Sequence, residues 1–152
     1  MRTFIYLRTN NIVDYLNQLA DLNSMYIKPF SFIVIKEHQE VTNDSSDREE
    51  IKLLKSIVNE RRISNILIHS IISLFSGKRS LLDFFACCRN SNIKVYSFKE
   101  PGLAKLFDLE ENIFLKEMNQ FLGSITGVKN EPSKISYKPK TGISIIGYPK
   151  KN

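Results

Sequence analysis

Several residue types that would identify a class of protein are scarce in this sequence of 152 residues, which has no tryptophan, two cysteines and two histidines. The cysteines, Cys87 and Cys88, are adjacent, and neighbouring cysteines rarely form a disulfide because the required geometry is strained. We expect both to be reduced on a helix, with one facing the core. The histidines, His38 and His69, do not stand at metal-ligand spacing with them. Neither a metal site nor a cofactor is therefore expected.

Long apolar runs are also missing. No stretch is long enough to cross a bilayer, and the first residues lack the pattern of a signal peptide. We therefore expect no membrane partner and a cytoplasmic protein. With 42% hydrophobic and 25% charged residues, the chain has the composition of one globular domain with a short appendage.

Glycine is scarce where nucleotide-binding sites need it. None of the six glycines lies in the loop after the first predicted strand, so neither the dinucleotide-binding fingerprint nor a P-loop is present. A phospho-acceptor domain would need clustered carboxylates after the first and third strands. The sequence has Thr9 and Asn10 after one and His69 and Ser70 after the other. We therefore expect neither class of protein.

Positive charge is concentrated at the end of the chain. The formal net charge is +6, and residues 129–152 contain a single acid, Glu131, and six lysines, which are Lys129, Lys134, Lys138, Lys140, Lys150 and Lys151. Residues 127–152 also hold three of the five prolines and three of the six glycines, which predicts an extended or disordered basic tail. Residues 142–146 could add a strand. A polyanion would meet this tail, although scattered lysines are also typical of a soluble disordered segment.

Apolar periodicity predicts four units of strand and helix before the tail. The predicted strands are residues 3–7, 30–35, 63–68 and 93–98, and the predicted helices are residues 12–22, a helix that starts near Ser46, residues 80–89 and residues 108–125. This alternation with short connections predicts an α/β fold with three layers, α/β/α, and a mainly parallel sheet of four or five strands.

Local signals set the boundaries of several elements. Lys28 and Pro29 should break the chain before the second strand, which its β-branched and aromatic residues predict to be buried. Residues 37–47 are predicted as a solvated loop, after which Ser46 and Glu49 have the spacing of a capping box. Residues 70–78 are predicted as a loop or frayed turn. In the first helix Ile12, Leu16, Leu19 and Ala20 follow helical spacing.

The polar loop after the first strand, with Arg8 and Asn10, is the first candidate for a functional site. In open α/β sheets, ligands bind at the carboxyl ends of the strands. Arg8 and Arg48, at the start of the second helix, could bind a phosphate through planar two-pronged contacts. In the alternative interpretation, Arg48 is a surface residue and Arg8 is the partner in a structural ion pair.

Five short motifs occur in an order and spacing that resemble one family, and they are residues 6–8, 46–49, 66–70, 74–76 and 81–85. Over about residues 1–125 the chain resembles the catalytic domain of the resolvase/invertase family of serine recombinases. The segment around Arg48 is the most specific piece. The resemblance implies a resolvase-like domain over residues 1–126 and a function in DNA recombination.

The resemblance also shows what this chain has lost. It places Asn10 at the position of the serine nucleophile, which the family esterifies to the 5′-phosphate of DNA while arginines stabilise the phosphate charge. Arg8 and Arg48 match two family arginines, but Ser73 and Ser76 replace two others. A carboxamide cannot form the ester. We therefore expect no intact catalytic site, and a pseudoenzyme in place of an enzyme.

The last predicted helix, residues 108–125, matches a longer family helix that packs two subunits together. Phe114, Met118 and Phe121 stand at helical spacing along it. They could form the seam of a homodimer or a contact with a recombinase subunit. In the alternative interpretation they pack on the chain's own sheet.

These observations predict a serine-recombinase-like protein that is inactive and acts by binding DNA or a recombinase partner. The DNA contacts would come from Arg8, Arg48, Lys138, Lys140, Lys150 and Lys151. Two alternatives stay open. One is an active site-specific recombinase that cuts DNA with an unconventional hydroxyl, and the other is an interaction protein that does not bind DNA.

Overall fold

The computed structural model describes residues 2–40, 47–60 and 62–130, and for residues 36–40 and 47–51 it describes the backbone alone. The strands are β1 (Arg2–Arg8), β2 (Ile33–Glu40), β3 (Asn65–Ile68) and β4 (Lys94–Ser97). The helices are α1 (Ile12–Leu22), α2 (Lys28–Phe30), α3 (Asp47–Asn59), α4 (Ile71–Leu74), α5 (Lys78–Asn90), α6 (Leu103–Leu106) and α7 (Glu111–Gly123). A π-helical turn (Asn23–Ile27) joins α1 to α2.

The strands form one parallel sheet in the order β2-β1-β3-β4. Side chains alternate between the two faces of a strand, and both faces of the inner strand β1 are apolar. Phe4 and Tyr6 point to one face, Ile5 and Leu7 point to the other, and all four are buried. Apolar burial on both faces is the main force that holds helices on the two sides of a parallel sheet.

The two helical layers pack on opposite faces of the sheet. The larger core lies against Phe4 and Tyr6, and its helical members come from α3, α4, α5, α6 and α7. The smaller core lies against Ile5 and Leu7 and is covered by α1 and the π-helical turn. The predicted three-layer α/β/α architecture with a parallel sheet is therefore confirmed.

The helix after β1 extends further than the sequence predicts. The chain does not break at Lys28 and Pro29, because α1 continues through the π-helical turn into α2. Pro29 lies in the first turn of α2, where the missing N–H costs little. The helix ends at Ser31, whose φ of 54° is left-handed. The predicted break at Lys28 and Pro29 is wrong.

β2 is not the buried strand that its sequence predicts. It begins at Ile33, includes residues 37–40 that were predicted as loop, and lies at the edge of the sheet. Ile33, Val34 and Ile35 are 60%, 39% and 39% exposed. β-branched residues identify a strand but do not distinguish an edge position from a central one.

Other boundaries shift by a few residues. α4 occupies part of the predicted loop at 70–78, α5 starts two residues earlier than predicted, α7 is shorter than residues 108–125, and α6 was not predicted. Cys88 is buried and Cys87 is half-buried, and both are free, as expected. None of the helices described is long and apolar enough to cross a membrane.

The described chain ends beside the start of α5. The amide of Lys129 donates to the carbonyl of Ser76 at 2.7 Å, and the amide of Lys78 donates to the carbonyl of Lys129 at 2.8 Å. Residues 131–152, including the possible strand at 142–146, lie outside the described residues. The predicted boundary at residue 126 therefore stays a prediction.

Candidate functional site

The carboxyl ends of the parallel strands bring the predicted site residues to one edge of the sheet. β1 ends at Arg8 and β3 at Ile68, and these two strands are direct neighbours. The loop with Asn10 and the segment with Ser73 and Ser76 therefore leave the sheet at the same edge. This is the edge where open α/β sheets bind ligands.

Arg8 and Asn10 occupy different environments. Arg8 is half-buried at the end of β1, opposite Glu40 in the register of β2. Asn10 is exposed in the turn that follows. Next to it, the hydroxyl of buried Thr9 donates to the carbonyl of Asn11 at 3.3 Å. The side chain of Asn11 caps α1 by accepting from the amide of Asp14 at 2.8 Å, which satisfies a free N–H at the helix start.

The serines after β3 serve the backbone of α4. Ser70 Oγ accepts from the amide of Ser73 at 3.3 Å and caps the helix. Ser73 Oγ donates to the carbonyl of Ser70 at 2.7 Å. Ser76 is half-buried, and its carbonyl accepts from Lys129. The side chain of Ile72, which is exposed, lies close to Gly127. A Cβ added at Gly127 would be 3.2 Å from Ile72 Cγ2.

A histidine–aspartate pair lies at the same edge and was not predicted. His69 Nε2 and Asp21 Oδ2 are 2.9 Å apart, and the His69 ring stacks on Phe98 with centroids 5.0 Å apart. His69 follows β3 directly and is buried, whereas Asp21 lies near the end of α1 and is 43% exposed at its side chain. The two residues are far apart in sequence, so no local spacing could have indicated the pair.

Glu100 holds the loop after β4 against α4. Its Oε1 accepts from Ser97 Oγ at 2.6 Å and from the amide of Ile71 at 2.9 Å. On the other face of the sheet, the hydroxyl of Tyr26 donates to the carbonyl of Ser97 at 2.7 Å. Burial raises the pKa of Tyr26 above its ordinary value of 10.0, and the nearby Tyr96 and Glu100 raise this pKa further.

These contacts limit what the edge can do chemically. A nucleophilic serine needs a base within hydrogen-bonding distance, but the recorded bonds of Ser70, Ser73 and Ser97 go to other partners. Within residues 62–130, the Ser97 hydroxyl donates to the backbone carbonyl of His69 at 3.4 Å and not to its imidazole. The described part of the chain also contains no group of three histidine, cysteine or carboxylate side chains that could hold a metal.

Solved structures share this arrangement of strands and helices. A scan against protein-family models finds no match, and a search of curated proteins finds none. A resolvase-family site-specific recombinase from Streptococcus pneumoniae superposes with a TM-score of 0.60 at 6% identity, over 81% of this chain and 86% of that one. The N-terminal catalytic domain of TP901-1 integrase superposes with a TM-score of 0.60 at 16% identity, over 80% of this chain and 93% of that one.

The fold of this chain is therefore resolvase-like. The predicted resemblance is thereby confirmed for the fold. At these identities the likeness extends to the fold alone, and the roles of individual residues stay predictions.

Several predicted contact residues lie wholly or partly outside the described part of the chain. The backbone of Arg48 is on the first turn of α3, but its side chain is not described. The four tail lysines predicted to bind DNA, Lys138, Lys140, Lys150 and Lys151, are also outside it. The predicted phosphate contacts of these residues and of Arg8 stay predictions.

The last described helix, α7, packs mainly on the chain itself. Phe114 and Met118 are buried in the larger core, and Phe121 is half-buried against it. Arg89 lies over the Phe114 ring, 5.3 Å from its centroid. Phe114 and Met118 therefore cannot form an exposed seam, which corrects the predicted contact residues. A dimer itself stays a prediction.

A basic groove lies between α5 and α7, with a volume of about 590 Å³. Its lining includes three cations and a single carboxylate, which are Lys78, Arg79, Lys116 and Asp83. Asn130, where the described chain ends, also lines it. We call this surface the α5–α7 groove. The adjacent cations Lys78 and Arg79 could have indicated a binding surface from the sequence, because cations are disfavoured at the start of a helix.

Proposed function

We propose that this chain is a serine-recombinase-like protein that binds DNA without cutting it. The observation that carries the proposal is the hydrogen bonding of the hydroxyls at the carboxyl edge of the sheet. The recorded hydrogen bonds of Thr9, Ser70 and Ser73 are made with the chain's own backbone. The side chain at the nucleophile position is a carboxamide, which cannot be esterified to a phosphate.

The α5–α7 groove supports the DNA-binding part of the proposal. It has more cations than acids, and Lys129 and five further lysines follow it directly in the sequence. Cations that track a phosphate backbone bind DNA by releasing counterions, so the affinity falls steeply with salt. The groove and the tail would then form one continuous contact, with Arg8 and Arg48 as further phosphate ligands.

A mobility shift with a short duplex DNA at two salt concentrations tests this proposal. We expect binding at about 50 mM salt that weakens strongly by about 200 mM. The double substitution Arg79→Gln and Lys116→Gln should reduce the slope of log affinity against log salt by about 2, because each lost phosphate contact removes about 0.9. The control is Lys28→Gln with Lys105→Gln, two exposed lysines that do not line the groove.

Two outcomes of this assay would change the conclusion. The absence of binding at low salt would exclude the DNA-binding proposal and favour an interaction protein that does not bind DNA. An unchanged salt slope in the groove variant, with a slope that falls when residues 131–152 are removed, would assign the contact to the tail alone.

The inactive part of the proposal has its own test. Incubation with supercoiled plasmid, followed by denaturing gel analysis with and without protease, detects protein attached to DNA. We expect neither relaxed plasmid nor an adduct. A protein-linked DNA end would instead establish the alternative, an active recombinase with an unconventional hydroxyl.

A contact with a recombinase subunit is a second candidate, because α7 has an apolar side that does not face the core. Ile113 and Leu115 on α7 are 39% and 53% exposed. Sedimentation of this chain alone and mixed with a resolvase-type recombinase would test it. Substitution of both residues by serine should abolish a complex that depends on α7.

A further inference from the structure

Exposed apolar side chains are concentrated around α1 and β2. Six of them, each at least 39% exposed, are Ile12, Val13, Leu16, Ile33, Val34 and Ile35. Apolar side chains scattered singly on a surface are ordinary, whereas exposed apolar side chains that line one groove mark an interaction site. Of these six, Leu16 and Val34 line the same groove. The smaller core explains the pattern, because α1 packs on the sheet through Tyr15 and Leu22 and turns a second apolar face outward.

A groove runs between this outward face of α1 and the sheet. It has a volume of about 430 Å³ and is lined by Ile5, Leu16, Leu19, Ala20, Asn23, Ile27 and Val34. All of these side chains except Asn23 are apolar. We call this surface the α1–β2 groove. Its composition favours an apolar occupant over a charged one.

The outer edge of β2 borders the same groove. β2 pairs with β1 on one side, and no other strand of the described part pairs with it. An edge strand presents a row of backbone N–H and C=O groups that can pair with an added strand. A groove of this kind beside an open edge suits strand addition, in which the backbone supplies affinity and alternate side chains fill the groove.

The chain itself contains a segment with the matching pattern. Residues 142–146 are Gly-Ile-Ser-Ile-Ile, and they lie between glycines, prolines and lysines. In an extended segment Ile143 and Ile145 point to the same face, because side chains alternate. No other run in residues 131–152 is as apolar.

The segment can reach the groove from the end of the described chain. Lys129 pairs with Gly77, the N-cap residue of α5, in the helical layer of the larger core. The outer edge of β2 is about 15 Å from β3, at three strand spacings of about 4.8 Å. The twelve residues from Asn130 to Gly142 span up to about 40 Å when extended, so the connection is long enough with slack.

We propose that residues 142–146 bind the outer edge of β2 as a fifth strand and place Ile143 and Ile145 over the α1–β2 groove. This contact is distinct from DNA binding and uses different side chains. Lysines flank the segment on both sides and stay available to a polyanion.

Hydrogen exchange on the full chain, without DNA, tests the proposal. We expect alternate backbone amides of β2 to be protected, because the added strand accepts from them. The substitution Ile143→Ser with Ile145→Ser should accelerate their exchange about tenfold, the effect of weakening one local contact. The tail control is Ile135→Ser, which removes an isoleucine outside the segment.

A second variant addresses the groove side of the contact. Leu16→Ser should accelerate the same amides, whereas Leu115→Ser on α7 should not, although the two leucines are 55% and 53% exposed. Unchanged β2 exchange in both the tail and the groove variants would overturn the proposal. Protection that rises with protein concentration would also overturn it, because the occupant would then be a second copy of the chain.

Discussion

Asn10 and its neighbours show how single side chains limit the chemistry at this edge. Asn10 is exposed after β1, so its amide is accessible to a phosphate but offers no oxygen that could be esterified. Thr9 is buried and its hydroxyl bonds to the carbonyl of Asn11. For Thr9 to act as a nucleophile, its hydroxyl would have to become exposed and exchange its hydrogen bond to Asn11 for one to a base.

The substitution Asn10→Ser alone should not restore DNA cleavage. A serine would supply the hydroxyl, but Ser73 and Ser76 would still stand where the resemblance implies arginines. Loss of one charged or dipolar donor at such a site lowers a rate by about 10²–10³, so the loss of two should leave cleavage undetected. The plasmid assay for protein-linked DNA measures this, and an adduct with Asn10→Ser alone would contradict the expected role of the arginines.

Glu100 is a residue whose stabilising role is clear from its contacts, and Glu100→Ala should destabilise the domain. The carboxylate accepts from the buried Ser97 hydroxyl and from the amide of Ile71. Leaving a buried donor without a partner costs about 1–3 kcal/mol. Urea unfolding measures the change, with Glu110→Ala as the control, since Glu110 is exposed and makes no capping bond through its side chain. Equal stability of the two variants would contradict this role.

At the scale of elements, the sequence predicts which segments are strands and helices better than which faces they bury. α1 has two apolar faces, one with Ile12 and Leu16 and one with Tyr15 and Leu22. Helical spacing cannot decide between them. The π-helical turn then changes the phase of the helix so that Tyr26 continues the buried face.

In the remaining elements, too, the apolar pattern fixes a burial position only where it leaves one possible face. β2 has the β-branched content of a buried strand but lies at the sheet edge. In α3 the apolar residues follow a single face, and Leu54, Ile57 and Val58 on it are buried. In α7, Phe114 and Met118 fit a core and an interface equally well in sequence, and the larger core takes them.

Tyr26 links the helical layer to the sheet and should make the stability of the domain pH-dependent above pH 10. Burial, then Tyr96 and Glu100, raise the pKa of Tyr26 in the folded state. The folded state therefore keeps this proton where the unfolded state loses it. The resulting stability is present below pH 10 and is lost as pH rises through the folded-state pKa.

The substitution Tyr26→Phe should remove this part of the alkaline dependence. At neutral pH it should also cost about 1 kcal/mol, because the hydrogen bond to the carbonyl of Ser97 is lost. Denaturant unfolding at several pH values measures both effects. Tyr15→Phe is the control, because Tyr15 lies in the same core and is not among the groups that raise the pKa of Tyr26. If both variants lose stability with pH as steeply as the unsubstituted chain, Tyr26 is not the titrating group.

At the scale of the whole molecule, the fold was predictable and the site only partly so. Four alternating units of strand and helix determine a three-layer fold with a parallel sheet in the middle, because short connections leave few possible topologies. The residues at its carboxyl edge could be placed from the strand ends. The Asp21–His69 pair and the α5–α7 groove could not, because each joins residues that only the packing of distant elements brings together.

The central position of β1 predicts that the two cores unfold together. Phe84 lies only in the larger core and Leu22 only in the smaller one, yet β1 supplies side chains to both. Phe84→Ala should cost about 3–5 kcal/mol and Leu22→Ala about 2–5 kcal/mol, and each should lower the unfolding midpoint of both layers by the same amount.

Hydrogen exchange of α5 and of α1, followed through a denaturant series, measures the layers separately. Leu115→Ala is the control, because this leucine is half exposed and belongs to neither core. If Leu22→Ala destabilised α1 while α5 kept its midpoint, the layers would be independent, and β1 would not couple them.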